Sequence, residues 1–426
     1  MSVLPDPGPY TLGDLLVGAA PGAGLHLVAR EPGVEGDWLG YRDLLDAARR
    51  ILGGLLARGR PPGTSVGLLL SAPADFLPAF WACLLGGYLP CPLLRPPGDS
   101  RPWPAWLAET EAMLGDPLLV TTAETRRALP ALDRVLDLES LRAGPSTQRI
   151  HRATSGDPAV LMVAPPAVAG RHGPPNCVVL THANLLAALA AKADRLALGA
   201  ADTALNWAPY AHGSALLETH LLPLYLGASQ VHAEPATVTG DPLHLLRLLD
   251  RYRVSLTFAR PSFLAQLTEL AELAREPVAG LDLSCVRHVV SGGEPFPVAT
   301  GGRLLDSLAP YRLARTVLRP AFGRPETCAG ATYCDRFPDR EPDREFAALG
   351  RPVAGLALRV TDHADRRVPD GQPGQLQVRG PMVFGQYLRN PVATAAAFTA
   401  DGWFRTGVPV RAHGSRLDLA DPARPE

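Results

Sequence analysis

At 426 residues and 46% hydrophobic content, the chain has length for two or three packed units and enough apolar residues to fill their cores. Its 41 basic and 42 acidic residues leave a formal net charge of -1, which excludes the basic field that a nucleic-acid or anionic-membrane binder carries. No apolar run reaches the length of a membrane span, and the opening MSVLPDPGPY has no basic stretch followed by an apolar core, so a cytoplasmic protein without a signal peptide is expected. The six cysteines form no CxxC pair and lie mostly in apolar surroundings, which points to buried thiols rather than a metal site. Lys192 is the only lysine beside forty arginines, so any chemistry that needs a lysine elsewhere is ruled out.

In chain order, Tyr41, Leu44, Leu45, Ala48, Ile51, Leu52 and Leu55 recur at helical spacing, and Gly59, Pro61 and Pro62 close that helix. Strands are predicted over 65–70 and 117–122, a helix over 74–85, an extended run over 88–94 and a helix from about Ala123. The stretch 161–185, LMVAPPAVAGRHGPPNCVVLTHANL, reads as a buried strand over 159–164, a loop, a second apolar run over 177–180 and a helix over 183–197 capped by Thr181. Loops in that setting commonly cradle phosphates with free backbone N–H groups. This one offers Pro165, Pro166, Pro174, Pro175 and Asn176 in place of glycines, hydroxyls and a lysine, and proline donates no N–H, so a path without a converging N–H nest is expected. Arg171 and His172 are consistent with an exposed loop tip.

After the loop, strands over 203–207, 229–232, 254–258 and 286–290 alternate with helices over 214–226, 242–252, 262–274 and from 298. Such alternation predicts parallel sheets covered on both faces. From about Phe346 shorter runs broken by glycine and proline, notably 356–360 and 374–378, suggest a small β-rich subdomain. The expected organisation is residues 1–345 as two α/β subdomains and 346–426 as the β-rich one.

Eight segments in order carry a resemblance: LTHANL at 180–185, NWAPYAH at 206–212, HLLPLYLGA at 220–228, SGGEP at 291–295, AFGRPET at 321–327, GRPVAG at 350–355, DGQPGQLQVRGPMVFGQY at 370–387 and DGWFRTG at 401–407. Together they resemble the large N-terminal domain of the adenylate-forming superfamily, closest in wording to fatty acyl-AMP ligases and acyl-CoA synthetases. The resemblance implies an α/β fold of two helix-flanked sheets with a small β-barrel-like subdomain. It places Gly292, Gly293, Glu294, Phe322 and Gly323 at a nucleotide site, with Glu326 as the carboxylate that helps to hold magnesium on ATP. It also sets His212 beside the acyl group and phosphate. An exposed structural carboxylate and an inherited inert histidine are the alternative readings of Glu326 and His212.

The departures bear on activity. The family's loop hydroxyls and lysine fall on Ala164, Pro165, Pro166 and Asn176, its aromatic-Gly motif has lost the tyrosine hydroxyl at Phe322, and the aspartate that grips the ribose is Val408, which accepts no hydrogen bond. The family's further C-terminal lid domain, with its lysine, is expected to be absent from a chain ending at Glu426. Losing one preorganised charge commonly costs about 100-fold in rate, so ATP-dependent acyl activation by this chain alone is not expected, and ATP and magnesium are not expected to be required.

Three functions stay open: a repurposed enzyme acting on an acyl thioester held by an acyl carrier protein, a ligase completed in trans, and a non-catalytic partner of a carrier or ligase. For the first, His212 with Tyr210 or Glu326 would supply the base and acid of a dehydration, beside an acyl tunnel walled by residues 220–228 and 258–267.

Overall fold

The structure is a computed structural model that describes residues 11–19, 21–29, 36–95, 101–164, 175–273, 280–335, 337–338, 344–414 and 416–420. The expected loop path over 165–174 and the N-terminal segment read against a signal peptide lie outside these residues.

Nine strands form the largest sheet, in the order Arg351–Pro352, Ala329–Tyr333, Leu318–Arg324, His288–Ser291, Leu256–Phe258, Thr203–Asn206, Ser229–His232, Gly24–Leu27 and Asp37–Gly40. Its middle is parallel and its two ends are antiparallel, as expected where helices return the chain between neighbouring strands. A second, wholly parallel sheet orders Leu89–Pro92, Ser65–Leu69, Leu118–Thr121 and Val135–Asp137. Towards the C-terminus, Ala357–Thr361, Pro373–Arg379, Phe404–His413 and Arg416–Leu419 form an antiparallel sheet.

Two local features shape the site. The two runs flanking the proline loop, whose pairing the sequence leaves open, meet each other: Pro158–Ala164 and Asn176–Thr181 pair antiparallel as a hairpin, and Gln386–Tyr387 joins its edge. The hairpin ends where Thr181 changes role from strand to helix cap, its hydroxyl accepting from the Asn184 N–H at 3.1 Å. The expected single helix over 214–226 is instead a π-helix, Ser214–Leu221, followed by a short α-helix, Leu222–Leu226. Pro223 has no N–H to return to Thr219, and the Thr219 hydroxyl donates back to the Ala215 carbonyl at 2.9 Å, so the ordinary ladder is interrupted. A helix over Trp103–Leu114 was not foreseen, because its apolar positions are crowded by tryptophan and proline rather than spaced at a clean helical period.

Beneath the π-helix lies a buried polar chain with a partner at every link. The Trp81 indole N–H donates to His220 Nε2 at 2.9 Å, and His220 Nδ1 and His232 Nε2 both donate to Gln230 Oε1 at 2.8 Å. The Tyr210 hydroxyl donates to His232 Nδ1 at 2.8 Å, while Gln230 Nε2 donates to the Tyr41 oxygen at 2.7 Å. A satisfied network of this kind fixes one arrangement of the core.

Candidate functional site

Four segments that follow strands of the large sheet carry the candidate residues. The first follows Thr203–Asn206, where the Asn206 side chain bonds both the N–H and the carbonyl of Ala208 and so turns the chain. His212 comes six residues later. Arg260 lies against its ring, with Nη2 3.2 Å from Nδ1 and 3.3 Å from Nε2. Burial, and then the Arg260 charge, push the imidazole down to about 4, so it is neutral at pH 7 and a weakened base. Arg260 also reaches Glu294 Oε1 at 3.8 Å, and Glu294 accepts from the Ser262 N–H at 3.2 Å and hydroxyl at 3.1 Å. The turn before Glu294 needs its glycines: a Cβ on Gly292 would stand 2.6 Å from the Ala321 carbonyl, and Gly293 has φ of +84°.

The fourth segment carries Glu326. Leu318–Arg324 pairs with Ala329–Tyr333 through an irregularity between Phe322 and Gly323, and a Cβ on Gly323 would meet the Ala329 carbonyl at 2.1 Å. The connecting turn puts Cys328 at φ 53° and Ala329 at φ 66°, left-handed values that cost a residue with a Cβ roughly 1–2 kcal/mol each. Glu326 is fully buried, contrary to the exposed-carboxylate alternative. Its Oε1 accepts from the Tyr387 hydroxyl at 2.9 Å and from Arg324 Nη2 at 3.5 Å, and its Oε2 from Arg324 Nε at 3.3 Å. Burial, followed by the Glu326 charge, drives the Tyr387 phenol far above its ordinary value. Both oxygens of the carboxylate therefore already have partners within the chain. Val408, on Phe404–His413, is half-buried and presents no acceptor where the family has its ribose-gripping aspartate.

Of the three residues grouped for dehydration, only His212 lines the cavity described below. Tyr210 is buried and committed to His232, its ring stacked on Phe76 at 4.1 Å, and its hydroxyl does not line the cavity beside His212. Nor does Glu326. Of the acyl walls expected from residues 220–228 and 258–267, neither run lines that cavity: His220 is sealed in the core, and the second run reaches His212 only through Arg260. In their place, His212 opens onto a cavity of about 830 Å³ between the four-stranded parallel sheet and the hairpin. Leu93, Trp106, Met113 and Val163 supply its apolar wall, and Asn176 and Arg389 its polar rim. Asn390 Nδ2 donates to Asn176 Oδ1 at 2.9 Å, tying the hairpin to the segment after Gln386–Tyr387. A volume of this size suits a small organic ligand.

Sequence reasoning missed Arg324, Tyr387 and Trp106. Arg324 was visible, since the position between Gly323 and Pro325 carries a guanidinium two residues before Glu326, within side-chain reach of it. Among the described residues no cluster of three His, Cys, Asp or Glu side chains could hold a metal, and no helix is long and apolar enough to cross a membrane.

Parallel sheets around a Gly-rich turn, a proline-broken hairpin and a buried Glu after an aromatic-Gly pair define an adenylate-forming fold. The chain belongs to the AMP-binding enzyme family, whose model matches residues 25–388. It is 34% identical over 379 residues to "Inactive atromentin synthetase invA3" of Paxillus involutus, covering 86% of this chain and 39% of that protein. It is 36% identical over 393 residues to "Nonribosomal peptide synthetase btyA" of Aspergillus terreus, covering 87% of this chain and 41% of that protein. The chain thus spans about two fifths of the length of these relatives. Among solved structures, the adenylation domain of a keto acid-selecting NRPS module bound to keto acyl adenylate superposes with a TM-score of 0.88 at 27% identity, over 97% of this chain and 80% of that one. Fatty acyl-adenylate ligases from E. coli and L. pneumophila give a TM-score of 0.84 at 22% identity over 97% of this chain and 78% of that one, which shows the shared fold alone. The expectation of a fatty acyl-AMP ligase-like protein is corrected accordingly: the relatives are synthetases of the nonribosomal-peptide type, and none supports a dehydratase.

Proposed function

We propose that the chain is a degenerate adenylation unit of a nonribosomal-peptide-synthetase-like protein of secondary metabolism, holding an organic acyl group of keto acid type, free or borne by a carrier, without activating it through magnesium-bound ATP. The observation that carries this reading is the closed cluster of Arg324, Glu326 and Tyr387. A carboxylate recruited to a divalent cation must offer a free oxygen. Here a guanidinium supplies the opposite charge internally, and displacing it would strand a buried charge on one side or the other. Val408 supports the same reading at the ribose, so no step through ATP is derived. A relative named as inactive, at 34% identity, shows that loss of activity occurs within this group. The cavity beside His212 is the place for the acyl group, with Trp106 against its body and Arg389 at its rim.

The test is acid-dependent exchange of pyrophosphate into ATP with the full chain, across keto, aryl and fatty acids. No exchange above background is expected, while a keto acid quenches Trp106 fluorescence on binding. Magnesium-dependent exchange with any of these acids would overturn the reading.

A further inference from the structure

The turn after Glu326 is held in a conformation that its residues do not favour. Cys328 and Ala329 both take the left-handed backbone region, and neither is glycine. Two such residues in succession persist only where their surroundings over-determine them. Those surroundings are a buried ion pair. Lys192, on the helix His182–Arg195, is fully buried and donates from Nζ to the Cys328 carbonyl at 2.5 Å. Glu218, on the π-helix, is 1% exposed, and its Oε1 accepts from the Gly330 N–H at 3.0 Å and from the Tyr333 hydroxyl at 2.5 Å. The two charged groups meet at 3.3 Å. The cation therefore grips the carbonyl of the first left-handed residue, and the anion grips the N–H just beyond the second.

Stability is a weak explanation for this arrangement. A buried ion pair seldom outperforms an apolar pair of the same shape, and Glu218 Oε2 has no partner among the described residues, which adds to the cost. What the pair supplies is register. Lys192 rides on the helix that leaves the hairpin, and Glu218 on the π-helix whose first N–H groups, Ala215 and Leu216, bond the His212 carbonyl at 3.1 and 3.3 Å. π-helical turns of this sort occur frequently at functional sites.

We propose that Lys192 and Glu218 are positioning residues: they hold the turn of Cys328 and Ala329 left-handed and so fix the Glu326 carboxylate relative to the His212 segment and the hairpin. The proposal rests on the functional reading above only for what that carboxylate binds.

The experiment compares wild type with the double variant Lys192→Met/Glu218→Gln, which removes both charges but keeps an amide oxygen for Gly330 and Tyr333, and with the triple variant that adds Ala329→Gly. Amide hydrogen exchange is followed by mass spectrometry. Exchange over residues 326–333 rises at least about tenfold in the double variant while the helix Tyr41–Leu56 stays protected as in wild type, the pattern of a local opening. Ala329→Gly restores protection, because glycine takes a positive φ without strain. Unchanged exchange, an equal rise throughout the chain, or no restoration by glycine overturns the proposal. If the double variant does not fold, Ala329→Gly alone decides: relief of a strained turn raises the Tm, and an unchanged or lowered Tm overturns the proposal. In an Arg324→Ala background, which frees Glu326, replacing the pair weakens magnesium binding about tenfold. Should Arg324→Ala bind no magnesium at all, the reading of Glu326 falls, and the exchange measurement still decides on the pair.

Discussion

Lowering the pH from 7 to 5 strips stability from this fold through histidines that are buried neutral. His220 and His288 are each pushed from 6.5 down to about 4, mainly by burial, with the Arg319 and Arg287 charges adding to the effect at His288. His232 is held well below its ordinary value by burial and by His220. The folded state refuses these protons while the unfolded chain accepts them below 6.5, so stability is full above that value and falls as pH drops towards the folded-state value. For a shift from 6.5 to 4, the loss between pH 7 and 5 is about 2 kcal/mol each for His220 and His288, or about 4 kcal/mol for the two, and His232 adds to the loss in the same direction. That is comparable with the whole stability of an ordinary domain, about 5–15 kcal/mol. Urea unfolding followed by tryptophan fluorescence at pH 7, 6 and 5 measures it. His288→Gln keeps a donor for the Leu196 carbonyl, now bonded at 2.9 Å, and removes one titrating group, so it recovers about 2 kcal/mol of the loss at pH 5. Stability that is flat to within about 1 kcal/mol across this range would refute the burial argument.

Three further outcomes follow from packing. Gly330→Ala puts a Cβ 2.2 Å from the Tyr333 hydroxyl and 2.4 Å from Glu218 Oε1, both fixed in a buried bond, and lowers stability by about 2–3 kcal/mol in chemical denaturation. Lys192 has no exposed surface, so an amine-reactive label reaches it only after unfolding, as peptide mass mapping before and after urea will record. Asn184→Ala removes the bonds to the Pro381 and Val383 carbonyls, at 2.7 and 3.1 Å, and the return half of the Thr181 capping box, at a cost of about 1–2 kcal/mol in the same denaturation measurement.

The alternation of strands and helices was legible because its cause is local: apolar runs of strand length between helical periods, each closed by glycine or proline. The hairpin was not, because two strands separated by a proline loop look alike whether they pair with each other or enter different sheets. The π-helix over Ser214–Leu221 hid behind a helical period that differs little from the α pattern over eight residues, although Pro223 marked where the ladder would break. At the site, Glu326 was found by its motif, but its partner Tyr387 lies 61 residues away and only the fold brings them together. Tyr210 misled for the opposite reason. Two residues from His212 in sequence, it points into the core, where His232 holds its hydroxyl at 2.8 Å, because the turn closed by the His212 N–H on the Pro209 carbonyl breaks the simple alternation of side chains. Lys192 was seen as unique and set aside as remote from chemistry, and its burial against Glu218 is a tertiary fact with no local signal.

Calorimetric titration of ATP into the chain, with and without magnesium, tests the central claim that Arg324 has replaced the metal at Glu326. The account predicts that magnesium changes the affinity of the wild-type protein by less than about twofold, whereas Arg324→Ala acquires a magnesium-dependent increase. A wild-type affinity that rises about tenfold or more with magnesium would contradict it.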